Sequence, residues 1–175
     1  ANDINIPTEG LTIPGGVTLA PTGATATLTK TSRGISVAYS TGTGGWAGGG
    51  FSYADKTSGY QDLSTLTNLI FSVKSTESNL KLELVDSTGK KSNVYLSGAS
   101  ASAETFYSVA LSAMIGTADL TKVTYIYVIV EGDSKAGALE VNDLKTPNAI
   151  PPATDKTAND INIPTEGLTI PGGVT

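Results

Sequence analysis

One feature limits what this chain can fold into more than any other: apolar and polar residues alternate with a period of two along most of its length, in short runs broken by turn-forming residues. That spacing puts successive side chains on opposite faces of a strand and leaves almost no helical periodicity. Ala24 to Lys30 (ATATLTK) and Gly34 to Ser40 (GISVAYS) read as two strands joined by Thr31-Ser32-Arg33, a hairpin in which Ile35, Val37 and Tyr39 share a face. Leu69 to Lys74 (LIFSVK) and Leu80 to Asp86 (LKLELVD) follow, and in the second Leu80, Leu82 and Leu84 face a core while Lys81, Glu83 and Val85 face a mostly wet side.

Asp86-Ser-Thr-Gly89-Lys reads as a tight turn, and Ser92 to Leu96 (SNVYL) returns antiparallel from it. Thr105 to Leu111 is a further strand, Val123 to Glu131 (VTYIYVIVE) has the β-branched composition of a central one, and Ala138 to Leu144 closes the unit. With strands at Trp46 to Tyr53 and near Ile4 to Ile6, the total is about nine. The expected fold is therefore all-β, a single-domain antiparallel β-sandwich. Helix is confined to one-turn segments at Ala110 to Met114 and at Asp119 to Lys122, the latter capped by Asp119.

The ends of the chain repeat. Residues 1–18 read ANDINIPTEGLTIPGGVT, and residues 158–175 read the same letters. The expected organisation is a first strand segment (1–18), a sandwich module (19–144), a proline-rich linker (145–157) and the start of a second unit (158–175). Each copy carries two apolar alternations interrupted by proline, which suits an edge strand. Ile4, Ile6, Leu11 and Ile13, with their counterparts Ile161, Ile163, Leu168 and Ile170, are the candidate contacts between neighbouring modules; the open alternative is that the tail is simply linker.

Composition removes much chemistry. The chain has no Cys and no His, which excludes disulfides, thiolate nucleophiles, imidazole bases and Zn–thiolate sites. A net charge of −5 and a pI near 4.6 argue against nucleic acid as a partner. No apolar run is long enough for membrane insertion, and no leader begins the sequence, so a secretion signal would lie outside it. The glycine-rich stretch Gly42 to Gly50 lacks the lysine and helix of a phosphate loop and reads as a lead into a strand. Glu77, Glu83, Glu104, Glu131 and Glu140 are available carboxylates, but none stands in a motif, and no catalytic residue is expected.

Trp46, Tyr53 and Tyr60 lie close in sequence, and Tyr125 and Tyr127 share one face of the central strand. Flat rings beside polar groups suit stacking on sugars, so these five are the glycan-binding candidates. The competing reading places Trp46 and Phe51 in the core and the tyrosines at half-buried edges.

The order of motifs resembles a family. Gly34 to Val37 (GISV), Trp46 to Phe51 (WAGGGF), Asp62 to Lys74 (DLSTLTNLIFSVK), Leu80 to Asp86, Asp119 to Tyr127 (DLTKVTYIY) and Leu139 to Leu144 (LEVNDL) are similar to the galactose-binding-like jelly-roll sandwich of many carbohydrate-binding modules. The resemblance spans roughly residues 25 to 144. It implies a ligand met by a concave face or a loop edge carrying aromatics, and an acidic residue near the last strand beside a structural Ca²⁺, with Asp55, Asp62 and Asp143 at the matching acidic positions. No cofactor beyond that Ca²⁺ is implied.

Two functions follow as expectations. One is a structural repeat of an extracellular or cell-surface fibre or adhesin, whose partners are identical neighbouring repeats and whose duplicated segment is exchanged as a strand. The other is a carbohydrate-binding module acting multivalently on polysaccharide.

Overall fold

The computed structural model describes residues 16–145. Ile4, Ile6, Leu11, Ile13, Ile161, Ile163, Leu168 and Ile170 lie outside them, as does the short strand expected near Ile4.

Among the described residues eleven strands form two antiparallel sheets. They are β1 (Gly16–Leu19), β2 (Thr25–Lys30), β3 (Gly34–Ser40), β4 (Trp46–Ser52), β5 (Asn68–Ser75), β6 (Leu80–Asp86), β7 (Lys91–Leu96), β8 (Thr105–Ala110), β9 (Ile115–Gly116), β10 (Val123–Glu131) and β11 (Ala136–Lys145). One sheet has six strands in the order β1-β4-β10-β6-β7-β9, and the other has five in the order β2-β3-β11-β5-β8. The sandwich expected from alternation is therefore present, and the nine expected strands that fall within the described residues are β2 to β8, β10 and β11. The two additions, β1 and β9, are edge pieces of four and two residues. Neither is long enough for an alternation to show.

The core lies between the sheets and is filled by the inward parity of each strand. Ile35, Val37, Phe51, Phe71, Leu82, Leu84, Ile126, Val128, Leu139 and Val141 are all essentially buried. The β6–β7 turn forms as its composition dictates. Gly89 takes a positive φ of 88°, and its N–H donates to the Asp86 carbonyl at 2.9 Å. The Asp86 carboxylate accepts from the N–H groups of Thr88, Lys90 and Asp119 at 2.7, 3.0 and 2.8 Å. These bonds hold its pKa well below the usual carboxylate range. Both helical segments expected from the sequence are single 3₁₀ turns, Leu111–Ala113 and Leu120–Lys122, and the Asp119 side chain accepts from the Thr121 N–H at 2.9 Å. Among the described residues no helix is long and apolar enough to cross a membrane.

Strand β4 (WAGGGFS) has three consecutive glycines inside a sheet, which costs conformational entropy and needs a reason. The reason is close approach: a Cβ at Gly48 would stand 2.2 Å from the Val128 carbonyl oxygen, and one at Gly50 would stand 2.0 Å from that of Ile126. The glycine stretch thus lets β4 lie close beside β10 in the sheet, in line with its reading as a strand.

Candidate functional site

In an antiparallel sheet, directly paired residues project from the same face, so register alone assembles a surface. Tyr127 pairs with Gly50 on one side and Glu83 on the other, and Glu83 pairs onward with Asn93. Ile129 likewise joins Gly48 to Lys81, which pairs with Tyr95, while Tyr125 joins Ser52 to Val85. Glu131 faces Trp46. This outer face of the six-stranded sheet therefore presents Trp46, Tyr125, Tyr127 and Tyr95 around a centre of Lys81, Glu83, Ile129 and Glu131.

The face holds an apolar patch separate from the main core. Val85, Tyr127 and Ile129 are buried there, with Val17, Leu19, Trp46 and Tyr125 packed against them. The rings of Tyr125 and Tyr127 stack at 5.1 Å and 13° between planes. Removal from water pushes the Tyr127 phenol up, with Tyr125 and Glu83 adding to the shift. Two shallow grooves of about 220 and 170 Å³ open side by side and share Lys81 and Ile129. The first is bordered by Tyr95 and Glu131, the second by Trp46, Glu83 and Lys91.

Charge on this face is matched and held. Glu83 is only 4% exposed, with the ammonium groups of Lys81 and Lys91 at 3.8 and 3.6 Å. Lys81 also pairs with Glu131, whose Oε1 accepts from the Tyr95 hydroxyl at 3.2 Å. Burial opposes the charge on Lys81, but hydrogen bonding and proximity to Glu131 and Glu83 leave its pKa raised. The expectation that Lys81, Glu83 and Val85 face a mostly wet side is corrected: Glu83 and Val85 are buried, because this face carries its own apolar cluster. The arrangement offers flat rings for stacking, bordered by donors and acceptors fixed in place by one another.

The five aromatic candidates do not all converge. Trp46, Tyr125 and Tyr127 share the face. Tyr53 does not: it is 1% exposed and part of the main core, because it continues β4 at the inward parity after Phe51. Burial pushes its phenol up, and its hydroxyl has no hydrogen-bond partner. Tyr60 stands half-buried in the β4–β5 loop and does not border either groove. Tyr95, Lys81 and Asn93 were missed as site residues. The parity of the β7 run was the available signal for Tyr95, which takes the outward position between buried Leu96 and half-buried Val94.

Among the described residues the Ca²⁺ candidates Asp55, Asp62 and Asp143 do not form one cluster. Asp55 is exposed on the β4–β5 loop, whereas Asp62 accepts from the Ser64 N–H and hydroxyl at 2.8 and 2.6 Å. Asp143 pairs with the Arg33 guanidinium, which also clasps Glu104 at 2.7 and 3.0 Å. Among the described residues no three carboxylates converge on a metal-sized site. The cation beside Asp143 is an arginine, and its planar fork satisfies two carboxylates at once.

Comparison with solved structures agrees with this architecture. The family 11 carbohydrate-binding module of a cellulosomal cellulase from Clostridium thermocellum superposes with a TM-score of 0.57 at 16% identity, covering 77% of this chain and 88% of that one. A Clostridium thermocellum family 11 module in complex with a β-1,3-1,4-mixed-linked tetrasaccharide gives 0.56 at 16% identity, over 77% and 89%. An exo-β-agarase matches with a TM-score of 0.54 at 12% identity over 76% of this chain, but only 23% of the agarase chain. No protein-family model matches the sequence, and no curated protein does. At these identities what is shared is the fold: the chain has the jelly-roll β-sandwich fold of carbohydrate-binding modules.

Proposed function

We propose that the protein is a non-catalytic carbohydrate-binding module that takes a polysaccharide across the outer face of its six-stranded sheet. The observation that carries this reading is the assembly of Trp46, the stacked Tyr125–Tyr127 pair and Tyr95 beside Lys81, Glu83 and Glu131 on one surface. Sugar rings have apolar faces and hydroxyl rims, and the surface supplies a complement to each. The neighbouring module's complex with a mixed-linked tetrasaccharide and the sandwich within an agarase support polysaccharide as the ligand class.

Affinity electrophoresis on mixed-linked β-glucan, other soluble glucans and agarose tests this. Retardation on at least one polysaccharide is expected, weakened at least about tenfold by Trp46→Ala or Tyr125→Ala, since each ring is worth on the order of 1.5 kcal/mol. No retardation on any polysaccharide, or binding that survives both substitutions, would rule it out.

The 18-residue identity between the two ends supports a second role, that of a unit in an extracellular tandem array. In such an array repetition would convert weak single-site binding into avidity. If glycan binding is absent, scaffolding by repeated modules becomes the main reading.

A further inference from the structure

A second feature of the sandwich lies along its β7–β8 side and shares Tyr95 with the aromatic face. Strand β8 ends the five-stranded sheet, with β5 on one side and no described strand on the other. Across from it in the six-stranded sheet, β7 is joined to β9 only at Ser92 and Asn93, so its residues 94–96 also lack a neighbour on that side. Between these two edges the sheets part, leaving a cleft of about 460 Å³. Val94 and Leu96 from β7 and Tyr107 and Val109 from β8 border it, and all four belong to the core or pack against it. The cleft is thus a wide, shallow depression at the edge of the hydrophobic core, floored by buried Leu96 and Val109. Tyr95 lines it as well and is 64% exposed. An unpaired edge beside an apolar gap is a template for an added strand.

The chain contains a segment suited to it. The second copy of the repeat carries Ile161-Asn-Ile163 followed by Pro164, an alternation that puts two isoleucines on one side of an edge strand. The first copy leads into β1, at the end of the six-stranded sheet farthest from β9. The second copy instead follows β11, and there the topology favours it. Lys145 pairs with Ile70, which pairs with Ser108, so the chain leaves two strands from β8, about 10 Å away. Residues 146–157 can span about 40 Å when extended. Because β11 and β8 are both antiparallel to β5, they run parallel to each other. A chain that leaves the end of β11 and turns back meets β8 in the antiparallel sense.

We propose that the segment around Ile161-Asn-Ile163 adds antiparallel to β8 of the module that precedes it, with Ile161 and Ile163 closing the cleft between β7 and β8. In a tandem array the opening segment of each unit would then seal the core of the unit before it, coupling neighbours through a continuous sheet.

The chain's lack of Cys gives a clean background for a test in the full chain. Ser108→Cys with Asn162→Cys should form a disulfide within one molecule at least about tenfold faster than Thr27→Cys with Asn162→Cys, which probes the opposite edge of the same sheet. In parallel, Ile161→Asp with Ile163→Asp should speed amide exchange at residues 105–110 by about tenfold or more, while the same pair at Ile4 and Ile6 leaves those amides unchanged. Equal rates for the two cysteine pairs, disulfides only between molecules, or exchange unaffected by the 161/163 change would each overturn the proposal. Neither readout depends on glycan binding.

Discussion

At the scale of single residues, position within the alternation decides role more than residue type does. Tyr53, just past the end of β4, and Tyr127, on the neighbouring β10, are both tyrosines, yet one faces the core and the other the outer face. Tyr53 carries a hydroxyl into the core without a partner, an arrangement that loses the hydrogen bond to water and gains none in return. Tyr53→Phe should therefore leave stability unchanged or raise it by about 1 kcal/mol in urea unfolding. A loss of that size would mean that the hydroxyl has found a partner. Gly50 is the opposite case, since a Cβ there meets backbone at 2.0 Å and only β4 or β10 can move to make room. Gly50→Ala should cost ~2 kcal/mol or more, read as a lower urea midpoint at unchanged slope.

At the scale of elements, the Arg33 clasp joins three parts of the sandwich distant in sequence: the β2–β3 turn, the segment before β8, and β11. Asp143 adopts a left-handed φ of 54°, within a pairing irregularity between Asn142 and Lys145. Its N–H donates to the Arg33 carbonyl at 2.8 Å. An Asp tolerates that conformation better than most residues, and the two-way contact with Arg33 holds it there. Hydrogen bonds from Arg33 and Ser72 depress the Glu104 pKa from 4.5 to about 2. A carboxylate with a depressed folded-state pKa contributes stability that is complete above its unfolded value and disappears as pH falls through the folded one. The Glu104 contribution should thus be lost between about pH 4.5 and 2. Thermal melts across that window should show a fall in midpoint that Arg33→Ala makes shallower, and parallel curves would exclude the clasp as its source.

At the scale of the whole molecule, most pairings join segments far apart in the chain. β3 pairs with β11 and β4 with β10, so each sheet closes only after loops of many tens of residues have been brought together. Loop closure has to precede the contacts that reward it. Refolding from urea should accordingly take milliseconds to seconds in stopped-flow fluorescence of Trp46, the single indole, and a microsecond phase carrying most of the amplitude would contradict this. Absence of Cys removes disulfide exchange as a source of slower steps.

The sequence by itself determined the fold class, the strands from β2 to β8 and from β10 to β11, and the Asp86 and Asp119 turns, because alternation and turn chemistry are local properties. It also exposed the duplicated segment and placed Tyr125 and Tyr127 on one face, since parity within a strand needs no tertiary information. Tertiary structure decided which strands are neighbours, and with that nearly everything about the site. Register set Tyr95 and Lys81 beside Glu131 and made Trp46 part of the outer face, whereas Tyr53 went inside. It also put Arg33, more than a hundred residues away in sequence, against Asp143. Pairing between strands far apart in sequence is a property of the folded sheet, and a local pattern of side chains carries no record of it.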